Sequence, residues 1–163
     1  MKITFEKLPR NLEEMKTLPM AALRTPEESA ALTVAALCAY PSDREACFAM
    51  LDYLRGPRPL SPMEKQFIGD RFMDGKDYIP RSYFEGATPE NNYTPSQPLT
   101  LELSVNPAPM AEQGYCRIDV RSGGADSPRQ ITLRNKPSTG EWFLWEQMLL
   151  AGIRVPASQD PWA

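Results

Sequence analysis

The residues of this 163-residue chain that could do chemistry are carboxylates and arginines, because the sequence contains no histidine. That absence removes Ser–His–Asp and Cys–His nucleophilic sites and the commonest general base near neutral pH. Cys38, Cys47 and Cys116 are too few and too scattered for a four-thiolate zinc site. No glycine-rich phosphate-binding motif is present either. The sequence therefore predicts no metal and no cofactor.

Three carboxylates could act together. Paired carboxylates can do acid–base work or hold a divalent cation, and Glu102, Asp119 and Asp126 could meet near one face of a sheet. Asp119, however, lies between Arg117 and Arg121 on the same face of a predicted strand, within reach of both. Asp126 precedes a Ser-Pro pair, where an aspartate more often forms a turn. A solvated charge ladder is the simpler interpretation.

Arginines are the second kind of candidate. Residues 117–136 contain Arg117, Arg121, Arg129, Arg134 and Lys136 against only Asp119 and Asp126. A guanidinium can bind a carboxylate or a phosphate through two parallel hydrogen bonds. We therefore take Arg117, Asp119, Arg121 and Arg134 as candidate binding residues on one sheet face, with an ordinary charged surface as the alternative.

A long polar loop, residues 86–98, is another candidate for recognition. It is rich in proline but lacks the low complexity of a linker. Ordered polar loops that carry an aromatic side chain often contact partners. Asn91 and Tyr93 are the candidate binding residues here, unless Tyr93 only anchors the loop to the body.

The elements that must position these residues are antiparallel strands. Apolar and polar residues alternate over 99–105, 115–121 and 130–134, which is typical of strands with one buried face. The predicted core-facing residues of the last two are Cys116, Ile118, Val120, Ile131 and Leu133. The run Trp142–Trp145, WFLW, predicts a strand buried on both faces or covered outside by a loop. Both tryptophans are expected to pack in the core, and residues 78–84 are also strand-like.

Three helices are predicted in the first half of the chain. Each begins at a capping sequence, in turn Thr25-Pro26, Ser42-Asp43 and Ser61-Pro62. The second has a one-sided apolar stripe of Cys47, Met50, Leu51 and Leu54. The third is expected to turn Phe67, Ile68 and Phe72 inward.

Helices followed by antiparallel strands predict an α+β domain. Three N-terminal helices should pack on one face of a C-terminal antiparallel sheet of four to five strands. We expect a single domain over residues 1–163, with an N-terminal arm (1–24), a helical part (25–75), a sheet part (78–156) and a tail (157–163). Trp162 in the tail is expected to dock on the body.

The composition bears on partners and compartment. The net charge is −3, and no part of the chain is strongly basic, which argues against nucleic acid. No apolar run reaches the length of a membrane span or resembles a signal peptide. An odd number of cysteines without redox spacing indicates buried thiols in a reducing compartment. We therefore expect a cytoplasmic protein that binds neither nucleic acid nor membrane.

Five segments together resemble a family of small bacterial domains of unknown function. They are SYFEGATPENNYTPSQPLTLEL at 82–103, GGADSPRQITLR at 123–134, GEWFLWEQMLL at 140–150, IRVP at 153–156 and the closing DPWA. The resemblance covers roughly the second half of the chain. It implies one bacterial cytoplasmic domain and transfers no catalytic residue, since the family has no assigned activity.

These features predict a non-enzymatic binding module. It would recognise a protein or a small anionic partner through the arginine-bearing sheet face and the 86–98 loop. The alternative is a small hydrolase or lyase that needs no histidine and uses Glu102, Asp119 or Asp126.

Overall fold

The computed structural model describes all residues of the chain, 1–163. Its helices are α1 Leu12–Lys16, α2 Pro26–Cys38, α3 Arg44–Arg55 and α4 Pro62–Phe72. Its strands are β1 Lys2–Phe5, β2 Leu99–Val105, β3 Tyr115–Val120, β4 Arg129–Lys136 and β5 Glu141–Gln147. They form one antiparallel sheet in the order β1-β2-β3-β4-β5. The predicted α+β class is confirmed, with β1 added at one edge by the N-terminal arm.

Helix α2 is the centre of the core. Every residue from Ser29 to Leu37 is buried, because α3 packs on one side of the helix and the inner face of the sheet on another. Of the five predicted core residues of β3 and β4, Ile118, Val120, Ile131 and Leu133 are fully buried on that inner face, and Cys116 is half-buried. The longest helix, α2, has 13 residues, and no helix of the chain is long and apolar enough to cross a bilayer.

The predicted helix starts are present, and one is shifted. Thr25 caps α2, accepting a hydrogen bond from the backbone N–H of Glu28 at 3.2 Å. Ser61 and Glu64 exchange two such bonds at the start of α4, at 3.1 and 3.0 Å. Helix α3 is capped by Asp43 rather than Ser42, since the Asp43 carboxylate accepts from the N–H of Ala46. Each cap stabilises its helix by about 1 kcal/mol.

Three expectations about the periphery were wrong. Residues 76–83 form two 3₁₀ turns instead of a strand, because Pro80 lacks the amide hydrogen that pairing in a sheet needs. Only Phe84 forms a β-bridge to β2. Phe67 is 49% exposed because α4 faces the body along Ile68 and Phe72, one turn apart. Trp162 is 93% exposed and does not dock.

All three cysteines are free thiols. Cys47 is buried, and Cys38 and Cys116 are half-buried. Burial raises the pKa of Cys38 and of Cys47 to about 12. Because the thiolate is the nucleophile, these two protonated thiols are unreactive.

Candidate binding site

The candidate site lies on the outer face of the sheet, where β4 meets β5. Leu144 pairs with Leu133 but Glu146 pairs with Thr132, so Trp145 is the extra residue of a β-bulge. Its ring meets the ring of Tyr115 edge to face, with the centroids 5.5 Å apart. Trp142 packs against the core as predicted, whereas the core prediction for Trp145 was wrong.

The loop after α3, residues 56–60, covers the outer side of β5. Gly56 has φ +59°, and a Cβ there would lie 2.5 Å from the ring of Phe143. A glycine is therefore required for the loop to lie this close to the strand. Arg58 extends from the loop to Trp145, with its guanidinium carbon 3.9 Å from the ring centroid, and donates to the Trp145 carbonyl. A loop cover was one of the two arrangements that WFLW predicted.

This loop and the strands β4 and β5 enclose a cleft of about 390 Å³, called here the cationic cleft. That size lies in the range of small-ligand sites. Its basic side chains are Arg55, Arg58, Arg134 and Lys136, and its aromatic ones are Phe143 and Trp145. No carboxylate lines it.

The basic side chains of the cleft are unequally compensated. Arg55 is buried; its Nη2 lies 2.8 Å from the Glu64 carboxylate and its Nε donates to the Arg58 carbonyl. Arg58, Arg134 and Lys136 take part in no ion pair. Burial lowers the pKa of Arg58, and the neighbouring charge of Arg55 lowers it further. Since arginine stays protonated, the cations repel one another, and an anion in the cleft would relieve that repulsion.

Arg134 is the one predicted site residue that lines the cationic cleft. Its guanidinium carbon lies 4.8 Å from the centroid of Trp145 and 5.3 Å from that of Tyr115. Each exposed cation–π contact contributes about 0.5–1 kcal/mol. The two contacts hold the planar group against the rings in a defined orientation.

The other sheet-face candidates point outward as predicted but lie outside the cleft. Arg117 donates to the carbonyls of Ala108 and Pro109, at 3.3 and 3.2 Å, and so holds the loop between β2 and β3. Asp119 accepts from the side chain of Asn106 at 3.1 Å. The Arg121 side chain is 76% exposed, and its Nε lies 3.8 Å from Glu102.

The two candidate residues of the 86–98 loop, Asn91 and Tyr93, stabilise the conformation of the loop and its packing on the body. The Asn91 side chain donates to the Gly86 carbonyl at 2.7 Å and accepts from the N–H of Thr88 at 2.9 Å. Tyr93 is fully buried, stacks on Tyr78 with the centroids 5.3 Å apart, and donates to the Arg154 carbonyl at 2.6 Å. Neither residue lines the cationic cleft.

The three candidate carboxylates each have a separate partner. Glu102 lies near Arg121, Asp119 binds Asn106, and the Asp126 carboxylate lies 3.1 Å from Arg154. Glu102 and Asp126 line one hollow together with Arg121, and Asp119 does not line it. No group of three or more Cys, Asp or Glu side chains in the chain is arranged to hold a metal ion.

Sequence reasoning missed Arg58, the residue that joins the loop to Trp145. It lies between Pro57 and Pro59, just after the helix-ending Gly56. Those prolines indicated only the end of a helix. The two prolines were nevertheless a signal for a binding residue. They restrict the backbone around Arg58, so that little conformational entropy remains to be lost when a ligand binds.

Comparison with known proteins identifies a family and no function. A family model described as "Domain of unknown function (DUF6935)" matches residues 7–157, and the chain belongs to this family. The expected membership in a family of unknown function is thereby confirmed, and the match extends well beyond the second half of the chain. Neither a curated protein nor a solved structure matches it.

Proposed function

We propose that this chain is a non-enzymatic binding module that takes up an anionic group of its partner in the cationic cleft. The observation that carries the proposal is that Arg58, Arg134 and Lys136 line one cleft that no carboxylate lines, with both arginines against the ring of Trp145. A guanidinium can donate two parallel hydrogen bonds to a carboxylate or a phosphate. The proposal keeps Arg134 as a binding residue. It replaces Arg117, Asp119 and Arg121 by residues of the 56–60 loop and of β5.

Pre-organisation supports a binding role. Arg134 rests on Trp145 and Tyr115, and Arg58 is held against Trp145 by its bond to the carbonyl. Both guanidinium groups are therefore oriented before a ligand arrives. Less conformational entropy is then lost when an anion binds.

The carboxylate-based hydrolase or lyase is the weaker alternative. Glu102, Asp119 and Asp126 are each engaged with a different basic or amide side chain. The proposal also includes a cytoplasmic location, which is supported by the three free thiols.

Titration with an aryl anion tests the proposal. The chain has three tryptophans, so its NMR spectrum contains three indole N–H signals, and the Trp145→Phe variant identifies one of them. Phenyl phosphate added to the wild-type chain should shift the Trp145 signal in a saturable way. The neutral analogue benzyl alcohol should not, because it lacks the charge that the arginines would bind.

The control separates the cleft from the rest of the sheet face. The Arg58→Ala/Arg134→Ala double variant should lose the shift, whereas Arg121→Ala, exposed on the same sheet face outside the cleft, should keep it. A Trp145 signal that does not respond to phenyl phosphate, or a response that survives loss of both arginines, would refute the proposal.

A further inference from the structure

A second hollow adjoins the cationic cleft. It has a volume of about 470 Å³, lies between α4 and β5, and is called here the apolar groove. The two hollows share Arg55, Leu144 and Trp145 as a common wall. One ligand could therefore occupy both.

The apolar groove exposes large hydrophobic side chains. Met63 is 81% exposed, Met148 is 54% exposed, and Phe67, which the sequence predicted to face inward, is 49% exposed. All three line the groove. Exposed apolar groups that adjoin one another indicate an interaction site, and methionine adapts its shape to varied partners.

The charges fix the direction in which a ligand would lie. Two carboxylates line the groove, Glu64, which is engaged with Arg55, and the exposed Glu146, whereas the cleft is lined by Arg58, Arg134 and Lys136, which form no ion pair. A complementary ligand carries its negative charge at the cleft end and its apolar groups at the groove end.

Resting on the proposed function, we infer that the partner is a protein segment in which an acidic residue lies close in sequence to large apolar residues. Small-molecule sites bury most of their ligand, but the groove, with Met63 81% exposed, cannot enclose one. Open apolar grooves are instead typical of peptide recognition. A symmetric second copy is disfavoured, because a twofold interface here would bring two cationic clefts together.

Selection from a displayed library of random short peptides against the full chain tests the inference. Enriched peptides should combine Asp or Glu with Leu, Phe, Met or Trp nearby. Binding of the best peptide, measured by fluorescence polarisation, should weaken about tenfold or more on Met63→Ser/Phe67→Ser, which removes the apolar contacts. It should weaken similarly on Arg58→Ala/Arg134→Ala. Changing the peptide's acidic residues to amides, or its apolar residues to Ser, should reproduce the two losses separately.

Met73→Ser is the matched control. Met73 follows α4, is 57% exposed and does not line the groove, so this variant should bind like the wild type. No enrichment, enriched peptides that lack either residue class, or binding unchanged by Met63→Ser/Phe67→Ser would overturn the inference. The inference would also be overturned if analytical sedimentation showed a dimer that Phe67→Ser dissociates, since the groove would then hold a second copy of the chain.

The two proposals fail in different ways. An unmoved Trp145 signal with phenyl phosphate counts against anion binding in the cleft. A normal phenyl phosphate response without selection of acidic–apolar peptides leaves the cleft as an anion site and overturns the protein-segment inference. If phenyl phosphate binds as tightly as the best peptide, the protein-segment inference is also overturned, because the groove would then contribute nothing to the affinity.

Discussion

Arg58 combines two opposing effects in one side chain. Burial and the charge of Arg55 lower the pKa of its guanidinium, while the ring of Trp145, 3.9 Å away, attracts it. A cation held where other cations disfavour it is a poor choice for stability alone. Under the function proposed above, an anion bound in the cleft would offset this repulsion.

Tyr93 is one of several groups, with the thiols of Cys38 and Cys47, whose ionisation should destabilise the folded chain at alkaline pH. Burial raises the pKa of its hydroxyl from 10.0 to about 12. Above pH 10 the unfolded chain loses this proton while the folded chain keeps it, so the free energy of unfolding should fall between pH 10 and 12. Below that window the contribution of Tyr93 is fully present. Thermal unfolding followed by circular dichroism at increasing pH measures the loss.

Tyr93→Phe provides the comparison. The variant keeps the stacking on Tyr78 but loses the hydroxyl that donates to the Arg154 carbonyl. It should be about 0.5–1.5 kcal/mol less stable at neutral pH, because one hydrogen bond between the side chain and the backbone is lost. Its stability should then fall less steeply than that of the wild type above pH 10. Equal slopes for the two proteins would show that Tyr93 does not cause the alkaline loss.

At the scale of elements, the 56–60 loop depends on contact with β5. Gly56→Ala would place a Cβ 2.5 Å from the Phe143 ring, at a residue with φ +59°. Strain and overpacking together should lower the free energy of unfolding by about 2–4 kcal/mol. The same change should weaken phenyl phosphate binding, because Arg58 lies in this loop. Urea denaturation and the Trp145 titration measure the two effects.

Gly140→Ala separates backbone strain from the contact. Gly140 also has a positive φ, +77°, but a Cβ there meets nothing within 4 Å. It should cost only the backbone strain of about 1–2 kcal/mol and leave anion binding unchanged. Equal losses for the two variants would mean that the Phe143 contact contributes nothing.

For the molecule as a whole, the N-terminal strand completes the sheet. Strand β1 lies before the family match, yet Phe5 is 2% exposed and packs against Phe84. Removal of residues 1–6 should lower the free energy of unfolding by at least about 3 kcal/mol, as for loss of a buried phenylalanine. It also leaves the edge of β2 unpaired, which favours aggregation. Chemical denaturation and light scattering test both effects.

Removal of residues 160–163 is the control at the other end of the chain. It deletes Trp162, which is 93% exposed. Stability should change by less than about 0.5 kcal/mol, as is usual for exposed positions. A larger loss than that from removing residues 1–6 would show that the tail, and not β1, stabilises the domain.

Local patterns determined much of the fold. The caps at Thr25 and Ser61 depend on residues three positions away, and the inward Ile118 and Leu133 follow from strand alternation. The same reasoning failed for Ser42, where Asp43 one residue later makes the cap. It also failed for residues 78–84. Their apolar side chains suggested a strand, although Pro80 has no amide hydrogen to donate to a neighbouring strand.

The sequence by itself determined the inward residues of β3 and β4, because strand alternation depends only on neighbours along the strand, but it did not determine the positions of Phe67 and Trp145. It also identified Arg134 as a candidate. Only the tertiary structure decided that Arg134 shares a cleft with Arg58 and Trp145. Arg58 and Trp145 are 87 positions apart, and no local pattern specifies their contact. The bulge in β5 and the close approach at Gly56 create it, and both depend on how separate elements pack together.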